Sequence, residues 1–181
     1  MHATLINGGV TTPEGFTAAG VYCGIKAPNP ITHPLDLCLI KSTSGPVPAA
    51  AVFTTNLAVA APVVISRDHL TRTRGLCAGA VVNSGCANAC TGEAGTAVAH
   101  AMAAAAAAAL GCSDDLVFIA STGTIGMPLN LDKIKAGVLA ASAALSVEGG
   151  YEATRAIMTT DPFPKSCAAV CDTPKGRVTV G

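Results

Sequence analysis

Charged side chains are scarce in this chain of 181 residues, because Asp, Glu, Lys and Arg together make up only 12% of it. A typical soluble domain has about 25%. Aromatic residues make up 3%, and tryptophan is absent, although 50% of the residues are hydrophobic. Obligate protein interfaces are depleted of charge, so this composition predicts a surface that is partly covered by partner chains. Alanine bias in the genome is the competing explanation.

The chain also lacks an excess of charge of either sign. It has 11 Lys plus Arg and 11 Asp plus Glu, which argues against a nucleic-acid-binding face. Two long segments without charge, 42–66 and 94–113, are interrupted by prolines or consist mostly of alanine, so neither predicts a membrane span. The first residues lack a basic segment followed by an apolar one, which predicts a protein without a signal peptide, located in the cytoplasm.

The eight cysteines show no metal-binding pattern. The pairs Cys86 and Cys90, and Cys167 and Cys171, are each separated by three residues, and no histidine pair accompanies them to complete a zinc site. The chain is too long and too apolar to be a small domain held together by disulfides. Most of the cysteines are therefore predicted to be reduced core residues, and neither a metal nor a cofactor is expected.

Short apolar runs alternate with proline, glycine and asparagine in the first half, which predicts strands. These strands cover residues 16–25, 37–40, 49–54, 61–65 and 79–82. An alanine-rich segment at 93–110 then predicts a helix, because alanine has the best helix propensity. Thr91 stands at its N-cap position and Gly111 just beyond its end.

The second half predicts a strand at 116–120, helices at 131–145 and 151–158, and a closing hairpin of 165–171 and 177–180. Strands followed by helices are typical of a layered α+β domain rather than of a regular βαβ repeat. The prediction is therefore one domain over residues 1–181.

The most informative motif is the change from apolar to small polar residues at 116–126. Residues 116–120 predict a buried strand, and residues 121–126, Ser-Thr-Gly-Thr-Ile-Gly, predict a tight turn at its end. Hydroxyls and backbone N–H groups beside glycine are suited to bind an anion or the oxyanion of an acyl transfer. An ordinary Ser/Thr/Gly turn is the alternative.

Two further polar loops, 83–92 and 156–165, also follow regular elements. In the first, Asn83, Asn88 and Thr91 are predicted to be loop and cap residues rather than catalytic ones. In the second, Thr159-Thr160-Asp161 comes after a predicted helix and before two prolines that stiffen the chain. Its side chains are suited either to bind a substrate or only to cap and turn the chain.

In this order, the three loops resemble the ornithine acetyltransferase family, also called the bifunctional arginine biosynthesis family. Val52-Phe53-Thr54-Thr55-Asn56 followed by Ala60-Ala61-Pro62-Val63, and Pro13-Glu14-Gly15-Phe16 leading to Ala18-Ala19-Gly20, look like the same family. The resemblance spans nearly the whole chain. Its most specific parts are the loops at 121–126 and 157–165.

The resemblance implies a precursor that cuts itself into two chains and frees a threonine nucleophile at the N-terminus of the second. This sequence is then expected to be the first, or alpha, chain, ending at Gly181 before the cut, with the nucleophile in the beta chain. A layered α/β fold is implied, with mixed sheets flanked by helices, similar to amino-terminal-nucleophile hydrolases. The implied assembly has two alpha and two beta chains.

The implied reaction moves an acetyl group from N-acetylornithine to glutamate through an acetyl-threonine, and some members also accept acetyl-CoA. The resemblance assigns Thr122, through its hydroxyl, and Gly123, through its N–H, to the oxyanion. It assigns Thr159 and Thr160 to substrate binding, with Thr160 the better candidate for direct contact. Two alternatives remain open: a self-cleaving amidase or aminopeptidase that passes the acyl group to water, and a non-catalytic domain whose Gly/Thr loops bind an anion.

Overall fold

Nine strands and four α-helices form within residues 2–181, the part of the chain that this computed structural model describes. The strands are β1 (Ala3–Ile6), β2 (Phe16–Val21), β3 (Leu37–Ser42), β4 (Val47–Pro48), β5 (Leu76–Cys77), β6 (Gly79–Cys86), β7 (Val117–Thr124), β8 (Ala168–Thr173) and β9 (Gly176–Val180). The helices are α1 (Ala61–Arg72), α2 (Gly92–Leu110), α3 (Leu131–Ala143) and α4 (Gly150–Ile157). Met1 lies outside the described residues.

The central sheet has the strand order β2-β3-β6-β7. The first two pairs are antiparallel, whereas β6 and β7 are parallel, and α2 connects them. This βαβ unit was not expected from the order of strands and helices. A second sheet, β1-β8-β9, contains the predicted hairpin together with β1, which the sequence did not predict. The β1-β8-β9 sheet is antiparallel, whereas the central sheet is mixed and flanked by helices, as in the predicted fold class.

Helices cover both faces of the central sheet. On one face, α2 and α3 bury Met102, Ala106 and Ile134 against sheet residues such as Leu39 and Val81. Alanine has a small side chain, which permits this close helix-to-sheet packing, and each fully buried large apolar side chain contributes about 1.5–3 kcal/mol. By length and composition alone α2 would also pass as a membrane-crossing helix, but its contacts with the sheet are those of a core helix.

Two predicted strands are wrong. Residues 49–54 have no regular secondary structure, and Val52 within them is 99% exposed. Residues 61–65 form the first turn of α1, where Pro62 stands at the start of the helix. Proline is favourable there, because its fixed φ suits a helix and the first N–H groups of a helix have no intrahelical acceptor. The valines that suggested a strand lie instead on a helix.

Helix α1 lies along the outer edge of β7. The Ser66 hydroxyl donates to the Ile119 carbonyl at 2.8 Å and accepts from the Ile119 N–H at 3.0 Å. His69 Nδ1 lies 2.9 Å from the Val117 carbonyl, and both side chains are buried. Edge strands expose unpaired backbone groups. Ser66 and His69 hydrogen-bond those groups of β7 at Val117 and Ile119. Within residues 2–181, no side chain of α1 bonds to the edge of β7 beyond that point.

Candidate functional site at the ends of β6 and β7

Strand β7 continues four residues beyond the predicted end of the strand. Ser121 and Thr122 pair with Asn83 and Ser84 of β6, and the ladder runs on to Thr124. The predicted turn at Ser121 is therefore wrong, because the Ser121 hydroxyl donates to Asn83 Oδ1 at 2.6 Å and the parallel pairing persists. Ser121, Thr122 and Gly123 are therefore part of the strand. The alternation of the strand decides to which face each side chain points and to which edge each N–H points.

The loop after β6 is held by buried amides. Asn83 and Asn88 are 0% and 1% exposed, and their Nδ2 groups donate to the carbonyls of Cys86 and Gly95 at 2.8 and 2.9 Å. Thr91 stands at the predicted N-cap position of α2 but makes no side-chain cap, because its hydroxyl donates to Asn88 Oδ1 at 2.7 Å. All three side chains hydrogen-bond within the loop and the start of α2, the arrangement expected of loop residues. The left-handed C-cap at Gly111 is also confirmed.

The Gly123 N–H lies on the open edge of β7. In a strand, the N–H and C=O of one residue point to one edge and those of the next residue to the other. The Val117 carbonyl and both backbone groups of Ile119 point toward α1. Gly123 lies an even number of residues further along β7, so its N–H points to the same edge of the strand. The neighbouring Thr124 carbonyl points the opposite way, since it accepts from the Ala87 N–H at 2.9 Å. The Gly123 donor therefore faces away from β6.

The Thr122 side chain lies on the face of the sheet that α4 covers. Thr122 is the register partner of Ser84 in the parallel ladder, so the two side chains share a face. The Ser84 hydroxyl on that face donates to the Ala156 carbonyl of α4 at 2.5 Å. Thr122 is half-buried, and within residues 2–181 its hydroxyl has no hydrogen-bond partner. A hydroxyl and an N–H donor thus lie on adjacent residues at one corner of the sheet.

Two paired glycines allow the backbones to approach at this corner. Gly123 has a φ of +127°, and a Cβ there would lie 2.4 Å from the Gly85 carbonyl carbon and 2.7 Å from the Cys86 nitrogen. Gly85 has a φ of +102°, and its Cβ would lie 2.9 Å from Lys26 Cγ. Neither position has room for a side chain, and both backbone conformations favour glycine. β7, β6 and the Lys26 side chain therefore stack closely.

A buried carboxylate, Asp36, fixes the turn that carries Lys26. It is 0% exposed and accepts from the N–H groups of Cys23, Ile25 and Lys26 at 2.6, 2.7 and 3.0 Å. A buried charge is costly unless it is hydrogen-bonded in this way. Burial and the charge of Asp36 also raise the pKa of the Cys23 thiol to about 12, so Cys23 stays protonated at neutral pH.

Lys26 ties together the two walls of a cleft beside this corner. Its Nζ donates to the carbonyls of Leu35 and Met158 at 2.7 and 2.6 Å. Desolvation lowers the pKa of Lys26, and the charge of Asp36 opposes that shift. The cleft has a volume of about 530 Å³ and is lined by residues of the 26–35 and 151–164 segments. We call it the Lys26 cleft.

Of the predicted substrate-binding residues, Thr159 lines the Lys26 cleft, whereas Thr160 is exposed outside its lining. The corner with Thr122 and Gly123 is linked to this segment through Ser84 and Lys26, which donate to the Ala156 and Met158 carbonyls.

The sequence did not predict the roles of Lys26, Asp36 and Ser84. The one local signal was an acidic residue directly before the apolar run of β3.

The cysteines lie mostly outside the core. All eight are free, but only Cys38 and Cys86 are buried, whereas Cys90 and Cys167 are exposed. The prediction that most are core residues is therefore wrong, because the sheet and helices fill the core with larger aliphatic side chains and alanine. Residues 2–181 contain no group of three or more His, Cys, Asp or Glu side chains that could hold a metal ion.

The model of the ArgJ family matches residues 17–181, which include the whole corner and the Lys26 cleft. The chain belongs to the ArgJ family. The arginine biosynthesis bifunctional protein ArgJ of Symbiobacterium thermophilum is 51% identical over 174 residues, covering 96% of this chain and 42% of that protein. This chain thus spans about two fifths of the length of the curated ArgJ relatives that it matches.

Solved ArgJ structures share the fold. ArgJ from Bacillus halodurans has a TM-score of 0.87 at 33% identity, covering 99% of this chain and 91% of that chain. The ornithine acetyltransferase of Mycobacterium tuberculosis complexed with ornithine has a TM-score of 0.86 at 42% identity, covering 98% of this chain and 93% of that chain. These likenesses confirm the predicted family and the α/β fold of the amino-terminal-nucleophile type.

Proposed function

We propose that this ArgJ-family chain is the alpha chain of a self-cleaving glutamate N-acetyltransferase, which moves acetyl from N-acetylornithine to glutamate in arginine biosynthesis. The observation that carries the proposal is the corner where adjacent residues carry the unpartnered Thr122 hydroxyl and the outward Gly123 N–H. The related structure complexed with ornithine supports the substrate class.

The proposed chemistry needs two donors at this corner. A threonine hydroxyl is a poor nucleophile, and in the beta chain its own free α-amine would act as the base. Attack on the acetyl carbonyl of N-acetylornithine turns that carbonyl oxygen into an oxyanion. Thr122 and Gly123 would each donate a hydrogen bond to it, and one such donor is worth about 2.7–4 kcal/mol in the transition state.

The transfer then proceeds in two half-reactions. Collapse of the first tetrahedral intermediate breaks the amide bond, protonates the departing amine and releases ornithine, leaving an acetyl-threonine ester. The amine of glutamate attacks that ester, the same donors stabilise the second oxyanion, and the threonine hydroxyl is restored. Acetyl-CoA is proposed as an additional donor, since it delivers the same acetyl group. The residues of this chain supply charge stabilisation and no metal is required.

Thr159, rather than Thr160, is the residue that we assign to direct substrate contact, because Thr159 lines the Lys26 cleft. Thr159→Ala is expected to raise the KM for N-acetylornithine about tenfold, the equivalent of about 1.4 kcal/mol for one lost hydrogen bond. The kcat should stay within a factor of about three. Thr160→Ala is the matched comparison and should change KM less. The reverse ranking in steady-state kinetics would transfer the contact to Thr160, the candidate that the sequence favours.

The beta chain of the same precursor is the proposed partner, in an assembly of two alpha and two beta chains located in the cytoplasm. Low surface charge supports a covered surface. The irregular segment before α1 supports it as well, because Val52 and Leu57 there are 99% and 100% exposed. Large apolar side chains on an ordered segment are typical of an interface.

Intact-mass spectrometry on the product of the complete gene tests the proposal, before and after addition of N-acetylornithine. The expected result is two chains, the second beginning with threonine and gaining one acetyl group that glutamate then removes. Loss of the acetyl group to water at the same rate without glutamate would favour the amidase. One uncut chain with no mass change would contradict the proposal and favour an anion-binding domain.

A further inference from the structure

We infer that Lys26 is a positioning residue that holds the substrate-binding segment at Met158 and Thr159 beside the Thr122 and Gly123 corner. This inference rests on the proposed function. Lys26 lies far from both parts in sequence: its bond to the Met158 carbonyl spans 132 residues. Its side chain also lies against Gly85, one of the two paired glycines, while its ammonium lines the Lys26 cleft.

The first step of the argument is the ammonium. Its two hydrogen bonds go to the two segments that line the Lys26 cleft, to the Leu35 carbonyl of the 26–35 segment and to the Met158 carbonyl of the 151–164 segment. Loss of the ammonium would leave both carbonyls without this donor. Arg155 also bridges the two segments, through the Thr32 and His33 carbonyls, so the part that depends on Lys26 is the position of Met158 and of Thr159 directly after it.

The second step is the end of α4. The last carbonyls of a helix lack intrahelical partners, and a cation there is favourable. Arg155 in the last turn does not serve this purpose, because it donates to the Thr32 and His33 carbonyls. Lys26 and the Ser84 hydroxyl instead bond the Met158 and Ala156 carbonyls. Two side chains from outside α4 thus set where the helix ends and the binding segment begins.

The third step is the stem of Lys26. Its backbone N–H is held by Asp36 Oδ2 at 3.0 Å, and its Cγ would lie 2.9 Å from a Cβ built on Gly85. Gly85 is the register partner of Gly123. The stem therefore packs on the β6 backbone at Gly85, directly opposite the β7 residue that carries the oxyanion donor, while the ammonium holds the segment that carries Thr159. This arrangement fixes the distance between the acetyl end and the binding end of the site.

Lys26→Met tests the inference, because methionine keeps most of the stem and removes the ammonium. In the product of the complete gene, we expect the KM for N-acetylornithine to rise about tenfold, with kcat within about threefold of the unchanged enzyme and self-cleavage retained. Lys26→Arg, which keeps a cationic donor, should restore KM to within about threefold. Lys135→Met, the same change at an exposed lysine of α3, should leave both constants unchanged.

If the role of Lys26 were purely structural, Lys26→Met would lower the melting temperature. At assay temperatures well below melting, it would then not raise KM while leaving kcat unchanged. An unchanged KM in Lys26→Met, or a fall in kcat as large as the rise in KM, overturns the inference. If Lys26→Met does not fold, Lys26→Gln takes its place, since it also removes the ammonium and keeps a polar end on the side chain, and an unchanged KM there overturns the inference equally. Absence of acetyl transfer in the unchanged enzyme would instead contradict the proposed function.

Discussion

Replacing Thr122 by alanine is expected to lower the kcat of the complete enzyme about 10²–10³-fold, the effect of losing one oxyanion donor. The stability should change little, because the Thr122 hydroxyl is half-buried and no hydrogen bond within residues 2–181 depends on it. Steady-state kinetics with N-acetylornithine and glutamate, together with a thermal melt, measure both effects. The KM should stay close to its original value, since the donor acts mainly on the transition state.

Two variants at the same position sharpen this test. Thr122→Val keeps the branched shape and removes only the hydroxyl, so it should lose as much rate as Thr122→Ala. Thr122→Ser keeps the hydroxyl and should retain most of the rate. A Thr122→Val enzyme as fast as the original would remove the hydroxyl from the mechanism and leave Gly123 as the only assigned donor.

Gly123→Ala is expected to damage both the fold and the activity. A Cβ at Gly123 would lie 2.4 Å from the Gly85 carbonyl carbon and 2.7 Å from the Cys86 nitrogen, so backbone rather than a flexible side chain must move. The φ of +127° adds strain for any L side chain. Strain and overpacking of about 1–3 kcal/mol each predict that the free energy of unfolding falls by about 2–6 kcal/mol.

Gly126→Ala is the matched control for this prediction. Gly126 lies three residues further along, also with a positive φ of +75°, but a Cβ there would meet nothing within 4 Å. Only the conformational strain of about 1–2 kcal/mol applies. Chemical denaturation of both variants compares them directly. Equal losses of stability would show that the close approach of β6 and β7 at Gly85 does not constrain the fold.

Local sequence signals predicted the elements that owe little to distant partners. The alanine run and Gly111 predicted α2, because helix propensity and a left-handed C-cap act within one or two turns. The apolar run before Ser121 predicted β7, although not its end. The Ser-Thr-Gly and Thr-Thr-Asp loops carried the resemblance to the family, and the match to residues 17–181 confirmed it.

Elements that depend on pairing were predicted less well. Residues 49–54 have the composition of a strand. No neighbouring strand pairs with them among residues 2–181, so the segment is irregular. Residues 61–65 contain β-branched side chains, yet Pro62 and the edge of β7 favour a helix there, where Ser66 partners the Ile119 backbone. The extension of β7 to Thr124 similarly comes from the contact between Ser121 and Asn83.

The family, the fold class and the candidate oxyanion donors Thr122 and Gly123 follow from the order of residues along the chain. The direction of the Gly123 N–H does not, because it depends on how β7 pairs with β6 and alternates past α1. Nor do the roles of Asp36, Ser84 and Lys26, whose partners lie between 9 and 132 residues away in sequence. The buried carboxylate of Asp36 and the half-buried ammonium of Lys26 take their roles from the groups that replace water around them, and folding alone brings those groups together.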